Sequence, residues 1–204
     1  MSRIATGPAR AYRSQLRAQQ AEQTGARILD ATVRVMAGGI ASVSIPAVAC
    51  EAGVSVPTIY RHFRTKRDLL AAVYPHLVRR AGLDELVPPR TMGELRDGVR
   101  AYFDHLDSFD DLARAAMASP ASDDTRRISI PDRLAMARQL ADSIVPRLSE
   151  VERDRIARLL VILISSSAVR LWRDHFGSTV DEAADDIDWV LRAAIAAAGS
   201  RSGR

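Results

Sequence analysis

Apolar residues recur three and four positions apart along almost the whole chain, and nowhere does the one-in, one-out alternation of a strand run for a useful length. Ile28, Ala31, Thr32 and Val35 make one such stripe, with Leu29, Val33 and Met36 beside it. Leu69, Leu70, Val73, Tyr74, Leu77 and Val78 make another. This spacing predicts an all-α fold. Helices are expected at 45–52, 55–63, from Thr65 to Val87-Pro88-Pro89, and at 92–108, 110–118, 132–146, 150–175 and 180–198. The last carries the capping-box pattern Thr179-x-x-Glu182. The polar stretch Ser119 to Pro131, with two prolines, reads as a mobile loop. Pro75 falls inside the fourth helix, where its missing donor predicts a bend or break.

Length and composition bound the class. With 204 residues, 47% of them hydrophobic, the chain can bury a core as one large domain or two small ones. A single cysteine excludes a disulfide framework and a multi-cysteine metal cage. The most apolar run, Leu159 to Ile164, is far below the roughly 20 residues that span a bilayer. The first residues lack the apolar stretch of a secretory signal, so a soluble, cytoplasmic protein without membrane partners is expected.

Charge is distributed unevenly. Residues 1–80 hold 12 Lys+Arg against 4 Asp+Glu, a net +8, and the remainder holds 17 against 21, a net −4. A basic first third attached to a mildly acidic remainder points to a polyanion as its partner. Residues 1–17, with Arg3, Arg10, Arg13 and Arg17 and no acid, read as a mobile basic arm. Lys66 is the one lysine among 29 basic residues. Arginine suits phosphate and guanine, although a coding bias would produce the same ratio.

The most informative stretch runs from Ser44 to Phe63. Ser44 is placed to cap a short helix, and Ala49 is small where a second helix must touch the first. Four positions later Gly53 tolerates the positive φ of a tight turn. Val48, Val54 and Ile59 would lock the second helix onto the first. Two short helices joined this way project the second outward at a size the DNA major groove admits. The whole pattern Ser44…Ala49…Gly53-Val54-Ser55…Thr58-Ile59-Tyr60-Arg61-His62-Phe63…Lys66…Leu69-Leu70 resembles the TetR family of bacterial transcriptional regulators over about residues 21–81.

That resemblance implies an N-terminal three-helix helix-turn-helix DNA-binding domain (21–81) after a basic arm (1–20). A C-terminal helical ligand-binding and dimerisation domain (82–204) follows. It implies a repressor that binds a palindromic DNA operator as a homodimer and is released by a small-molecule effector. Ser44, Ser55, Val56, Pro57, Thr58, Tyr60, Arg61, His62 and Lys66 are the DNA-binding candidates it supplies. Tyr60, His62, Lys66 and Ser44 would meet the backbone, Val56 a thymine methyl and Arg61 a guanine. The helix from Lys66 would couple ligand to DNA. Where many relatives carry polar or basic groups this chain has Pro46 and Val56, so base readout is thin and phosphate contacts should dominate.

For the second domain, Tyr102, Phe103, Phe109, Met117 and Met136 either line a ligand cavity or belong to helical core. The helices at 150–175 and 180–198 are apolar on more than one side, so a second subunit is expected to cover them. Leu163, Ile164, Trp172, Trp189, Ala193 and Ala196 are the interface candidates. The Ile187, Leu191, Ala194 and Ile195 stripe can face one neighbour while Trp189, Ala193 and Ala196 face another.

Other conspicuous residues have ordinary readings. Cys50 is expected to be small, buried and apolar rather than a redox sensor. His76, His105 and His175 are not paired for a metal, and no metal or cofactor is expected. Ser165-Ser166-Ser167 reads as mid-helix packing without the turn of a nucleophile. Asp104, Asp107 and Asp111 share one helical face by their three- and four-residue spacing, as a solvated face or a cation site. An enzyme or a protein-binding adaptor is the rival class. An enzyme needs convergent acids, bases or a metal, and an adaptor does not need the basic arm with Ser44, Tyr60 and Lys66.

Overall fold

A computed structural model describes the backbone of residues 8–202 and the side chains of residues 15–200. Ten α-helices follow in order: α1 Pro8–Ala37, α2 Ile45–Ala52, α3 Val56–His62, α4 Lys66–Arg80, α5 Met92–Asp107, α6 Asp111–Ala118, α7 Ser122–Ile144, α8 Glu150–Leu163, α9 Ser166–Arg170 and α10 Val180–Ser202. A 3-10 turn at Leu83–Glu85 precedes α5, and a π-helical segment, Leu171–His175, extends α9. Among the described residues there is no strand. No described helix is long and apolar enough to cross a membrane.

The stripe on α1 does what its spacing predicts. Ile28, Val33 and Met36 meet Val48 of α2, Ile59 of α3 and Leu69 and Val73 of α4 in a core from which water is excluded. The same core runs on without a gap into Leu95 and Phe103 of α5, Ala116 of α6, Ala141 of α7 and Ile187 and Leu191 of α10. α1 packs on α6 as well as on α2 and α4, and α4 packs on α7. The two ends of the molecule therefore share buried surface.

Several expectations are corrected. Residues 8–20 are helical, as the first turns of α1, with residues 15–20 exposed, and residues 1–7 of the expected arm lie outside the described residues. Ser119–Pro131 is not a loop, because α7 begins at Ser122. Its inward face is a stripe of hydroxyls that hydropathy does not register. Ser122, Thr125 and Ser129 are buried, and Thr125 and Ser129 donate to the carbonyls of Ser122 and Arg126 at 2.7 and 3.1 Å. Asp123 and Asp124 sit in its first turn, favoured by the helix dipole.

The helix expected at 150–175 breaks at Ile164 (φ −107°, ψ 66°), and Ser165 caps α9 by accepting from the Ala168 amide at 3.1 Å. The first of the three serines is thus a helix cap, not mid-helix packing. Asp104, Asp107 and Asp111 do not share a face, because α5 ends at Asp107 and Asp110 caps α6. Cys50 is exposed: the buried positions of α2 are Ile45, Val48, Ala49 and Ala52, and residue 50 is off that stripe. α4 continues through the exposed Pro75 to Arg80, so the proline removes one donor without breaking the helix.

Candidate nucleic-acid interface

The turn between α2 and α3 is closed entirely by local bonds. Gly53 takes φ 62°, ψ 38°, so its amide reaches the Cys50 carbonyl at 3.1 Å and the Val54 amide reaches Ala49 at 3.0 Å. Two otherwise orphaned carbonyls at the end of α2 are satisfied this way. Ser44 opens α2 by accepting from the Ala47 amide at 3.2 Å, and Ser55 opens α3 by accepting from Thr58 at 3.3 Å. The Ser55 and Thr58 hydroxyls also bond each other at 2.9 Å. Ser44, Ser55 and Thr58 therefore have structural work whatever else they touch.

α3 is held by one buried anchor. Ile59 is 0% exposed, and on the outer side Pro57 and Arg61 are exposed, as is Tyr60 at 47%. Val56, Thr58 and His62 are half-buried. His62 lies against α1, where a methyl group placed on Gly25 would stand 3.7 Å from its Nδ1. Burial first, and the neighbouring Arg61 guanidinium second, hold its imidazole below the ordinary value of 6.5.

α4 starts in a reciprocal cap that the Thr65-x-x-Asp68 spacing could have disclosed. The Thr65 amide donates to Asp68 at 3.0 Å, and the Asp68 amide donates to Thr65 at 3.1 Å. Lys66 is the first residue of the helix. Since Asp68 is occupied in the cap, Arg61, Arg64, Lys66 and Arg67 stand without a carboxylate partner among the described residues, four cations within seven residues.

α4 is also tied to both ends of the molecule. Asp30 of α1 accepts from His76 Nε2 at 2.7 Å and from Arg80 at 3.2 Å. Arg80 reaches on to Asp110 at 2.7 Å, and Asp110 caps α6 through the Ala113 amide, also at 2.7 Å. No spacing in the sequence joins positions 30, 76, 80 and 110.

Two cavities open in the C-terminal helices. The first, about 490 Å3, lies between α4, α5, α7 and α8 and is lined by Tyr74, Tyr102, Arg133, Met136, Leu140 and Ile164 among others. The second, about 300 Å3, is lined by Phe109, Met117, Arg114, Arg126, Arg170 and Arg173 among others. A narrow neck of about 30 Å3 shares Tyr74 and Arg133 with the first and Met117, Arg126 and Ser166 with the second. The five ligand candidates therefore divide. Tyr102 and Met136 line the first cavity and Phe109 and Met117 the second, while Phe103 is 1% exposed in the core and borders a smaller space beside Trp172. Sequence reasoning missed Tyr74 and Arg133, which only the packing of α4 on α7 brings together.

The apolar faces of the last helices divide as well. Ile187 and Leu191 are fully buried, with Ala194 and Ile195 packed beside them. On the other side Trp189 is 71% exposed, and Ala193 and Ala196 are exposed. Leu163, Ile164 and Trp172 are half-buried. Ile164 faces the first cavity, and Trp172 packs edge-on against Phe176 at 5.6 Å. Among the described residues no group of three metal-ligating side chains converges.

Residues 28–73 match the family described as bacterial regulatory proteins, tetR family. The match spans the buried stripe of α1, all of α2 and α3, and the first half of α4. No curated protein matches the chain. That match rests on a helix-turn-helix whose turn, caps and outward helix are all in place, so residues 28–73 are similar to the DNA-binding domain of tetR-family transcriptional regulators.

Proposed function

We propose that the protein is a cytoplasmic repressor that binds a palindromic operator as a homodimer and is released by a small molecule. In this reading residues 21–81 read DNA, residues 82–204 take the effector and pair the subunits, and the chain has no catalytic role. One observation carries the DNA end: Arg61 on α3, and Arg64, Lys66 and Arg67 in the residues that follow it, have no carboxylate among the described residues to neutralise them. Arg61 and Tyr60 project from α3, and the exposed Ser44 stands at the start of α2. Phosphate contacts from these groups supply most of the affinity.

The exposed face of Trp189, Ala193 and Ala196, with Ile162 64% exposed on α8, is the surface a second subunit covers. Pairing there sets two α3 helices on half-sites about one DNA turn, or a multiple of it, apart. α4 links the functions. Lys66 begins it at the DNA side, Tyr74 lines the cavity, and Arg80 is tied to α1 and α6.

The test is a gel shift with the DNA upstream of the protein's own gene across a salt series. If six or more phosphates are neutralised per dimer, affinity drops roughly 10³-fold or more between 50 and 200 mM salt. A nearly flat response, or no preference over unrelated DNA, refutes the reading.

A further inference from the structure

The first cavity has an unusual electrical character. Its lining includes Arg90 and Arg133, no aspartate or glutamate, and a wall of Leu140, Leu160, Val161 and Ile164. Arg133 is half-buried, yet among the described residues no carboxylate lies within ion-pair distance of it. Its contacts are the Tyr74 ring, 5.6 Å from the guanidinium carbon, and one long hydrogen bond, 3.5 Å, to the Val161 carbonyl. Most of its five N–H donors are therefore unspent. By contrast, Arg138, one and a half turns along α7, holds both Asp142 and Asp154.

A half-buried guanidinium without a counter-charge is costly, and a carboxylate is the group whose geometry its planar fork matches. Two further donors stand close by. Tyr74 lines both the cavity and the neck, and beside it burial pushes the Tyr102 phenol well above its ordinary range, so that phenol stays protonated. Ser122, 3% exposed, lines the same neck as Arg133 and Tyr74, and its hydroxyl has no hydrogen-bond partner among the described residues.

We propose that the ligand of this cavity is an apolar monocarboxylate, with its hydrocarbon body between α7 and α8 and its carboxylate at the neck, held by Arg133 with Tyr74 and Ser122. The neck, about 30 Å3, admits one small planar group. With a single unpaired guanidinium on it, the neck suits a monoanion better than a phosphate dianion. The same guanidinium stacks on Tyr74 of α4, so filling the site bears on the helix that begins at the DNA side. That this ligand is the effector rests on the function proposed above; its chemical class does not.

Isothermal titration of the full chain with decanoate, decan-1-ol and decylamine tests the class. Decanoate should bind at least roughly tenfold tighter than the alcohol, as a charge-assisted pair gives, with the amine weakest. Arg133→Gln should level decanoate with the alcohol. Arg133→Lys should keep the order with a smaller ratio, and an unchanged helical circular-dichroism melt shows that each variant is folded. Equal or tighter binding of the alcohol or amine, no binding of decanoate, or an undiminished preference in folded Arg133→Gln overturns the proposal. A gel shift with the same compounds separates the two readings. Decanoate that binds through Arg133 and leaves the DNA bound upholds the ligand class and sinks the effector role. DNA release by decanol alone overturns the class and leaves the effector role standing.

Discussion

Between residues 61 and 67 four cations stand with no carboxylate partner among the described residues, whereas on α5–α10 and the segment after α9 the arginines at 96, 100, 114, 126, 127, 138, 153, 173 and 192 each hold an aspartate and only Arg133, Arg155, Arg158 and Arg170 of the described arginines there do not. The difference does not follow from arginine content, since both regions are rich in it. It follows from where acids are placed. In the second region they sit three or four residues away, or on the facing helix, as Asp185 of α10 does for Arg96 of α5. On either side of α3 the flanking acids are already spent, Glu51 on Arg34 and Asp68 on a helix cap. Exposed pairs of this kind contribute about 0–1 kcal/mol each, so leaving four cations unpaired costs little stability. What it does is keep a positive surface open to a polyanion.

The sharpest way to break this contrast is to neutralise the open cluster. Changing Arg61, Arg64, Lys66 and Arg67 together to glutamine should lower operator affinity on the order of 10³-fold at low salt. The slope of log affinity against log salt should fall by about 0.9 for each phosphate that is no longer neutralised. The unfolding midpoint should hardly move, because surface changes away from special features stay within about 0.5 kcal/mol. Gel shifts at four salt concentrations, beside a thermal melt, measure both. Unchanged affinity would mean that these cations face solvent and nothing else.

The apolar counterpart lies within α10. Ile187 is fully buried and Trp189, two residues on, is 71% exposed. Ile187→Ala should cost about 2–5 kcal/mol of stability through the cavity it leaves. Trp189→Asp should leave the monomer's stability nearly intact and shift sedimentation from dimer to monomer at micromolar concentration. If Trp189→Asp stays dimeric, the subunits pair through another face. If instead it melts as early as Ile187→Ala, the exposed tryptophan supports its own subunit.

How far the sequence discloses this arrangement depends on the range of the forces involved. The α2–α3 unit is built from contacts within a few residues: Ser44 to Ala47, Gly53 to Cys50, Ser55 to Thr58. Each leaves its mark as a residue type at a fixed spacing, so caps, turn and anchor could all be read. The exposure of Cys50 was readable too, from its place off the stripe at 45, 48, 49 and 52. α7 was obscured because hydroxyls at 125 and 129 satisfy themselves on their own backbone and pass for loop residues. The first cavity was out of reach. It depends on residues 74, 102 and 133, which meet only because α4 packs on α7 and α5 lies near them.

A smaller effect tests the paired side of the contrast. Arg96 holds Asp181 and Asp185, and Arg100 holds Asp181, in a network joining α5 to α10. Replacing both arginines with glutamine should lower stability only slightly, with the loss shrinking in high salt. Operator affinity should not change. A large drop in affinity would show that these arginines also contribute to the positive field, and that pairing does not divide the molecule as the geometry implies.

The smallest expected effect is a pH dependence at His62. Its folded pKa lies below 6.5, lowered by burial and by Arg61. Below neutrality the unfolded chain therefore binds more protons than the folded one at this site. Its contribution to stability is complete above 6.5 and is lost as pH falls through the folded value. A DNA phosphate beside the imidazole would act in the opposite direction by favouring the charged form. Between pH 8 and pH 5.5 the protein should become slightly less stable while its operator affinity rises a few-fold. His62→Gln should remove both trends, and the difference between the two proteins isolates this side chain from the other histidines. If the affinity difference is flat while the stability difference persists, His62 supports α3 against Gly25 of α1 and does not touch the DNA. The phosphate contacts would then fall to Arg61, Lys66 and their neighbours alone.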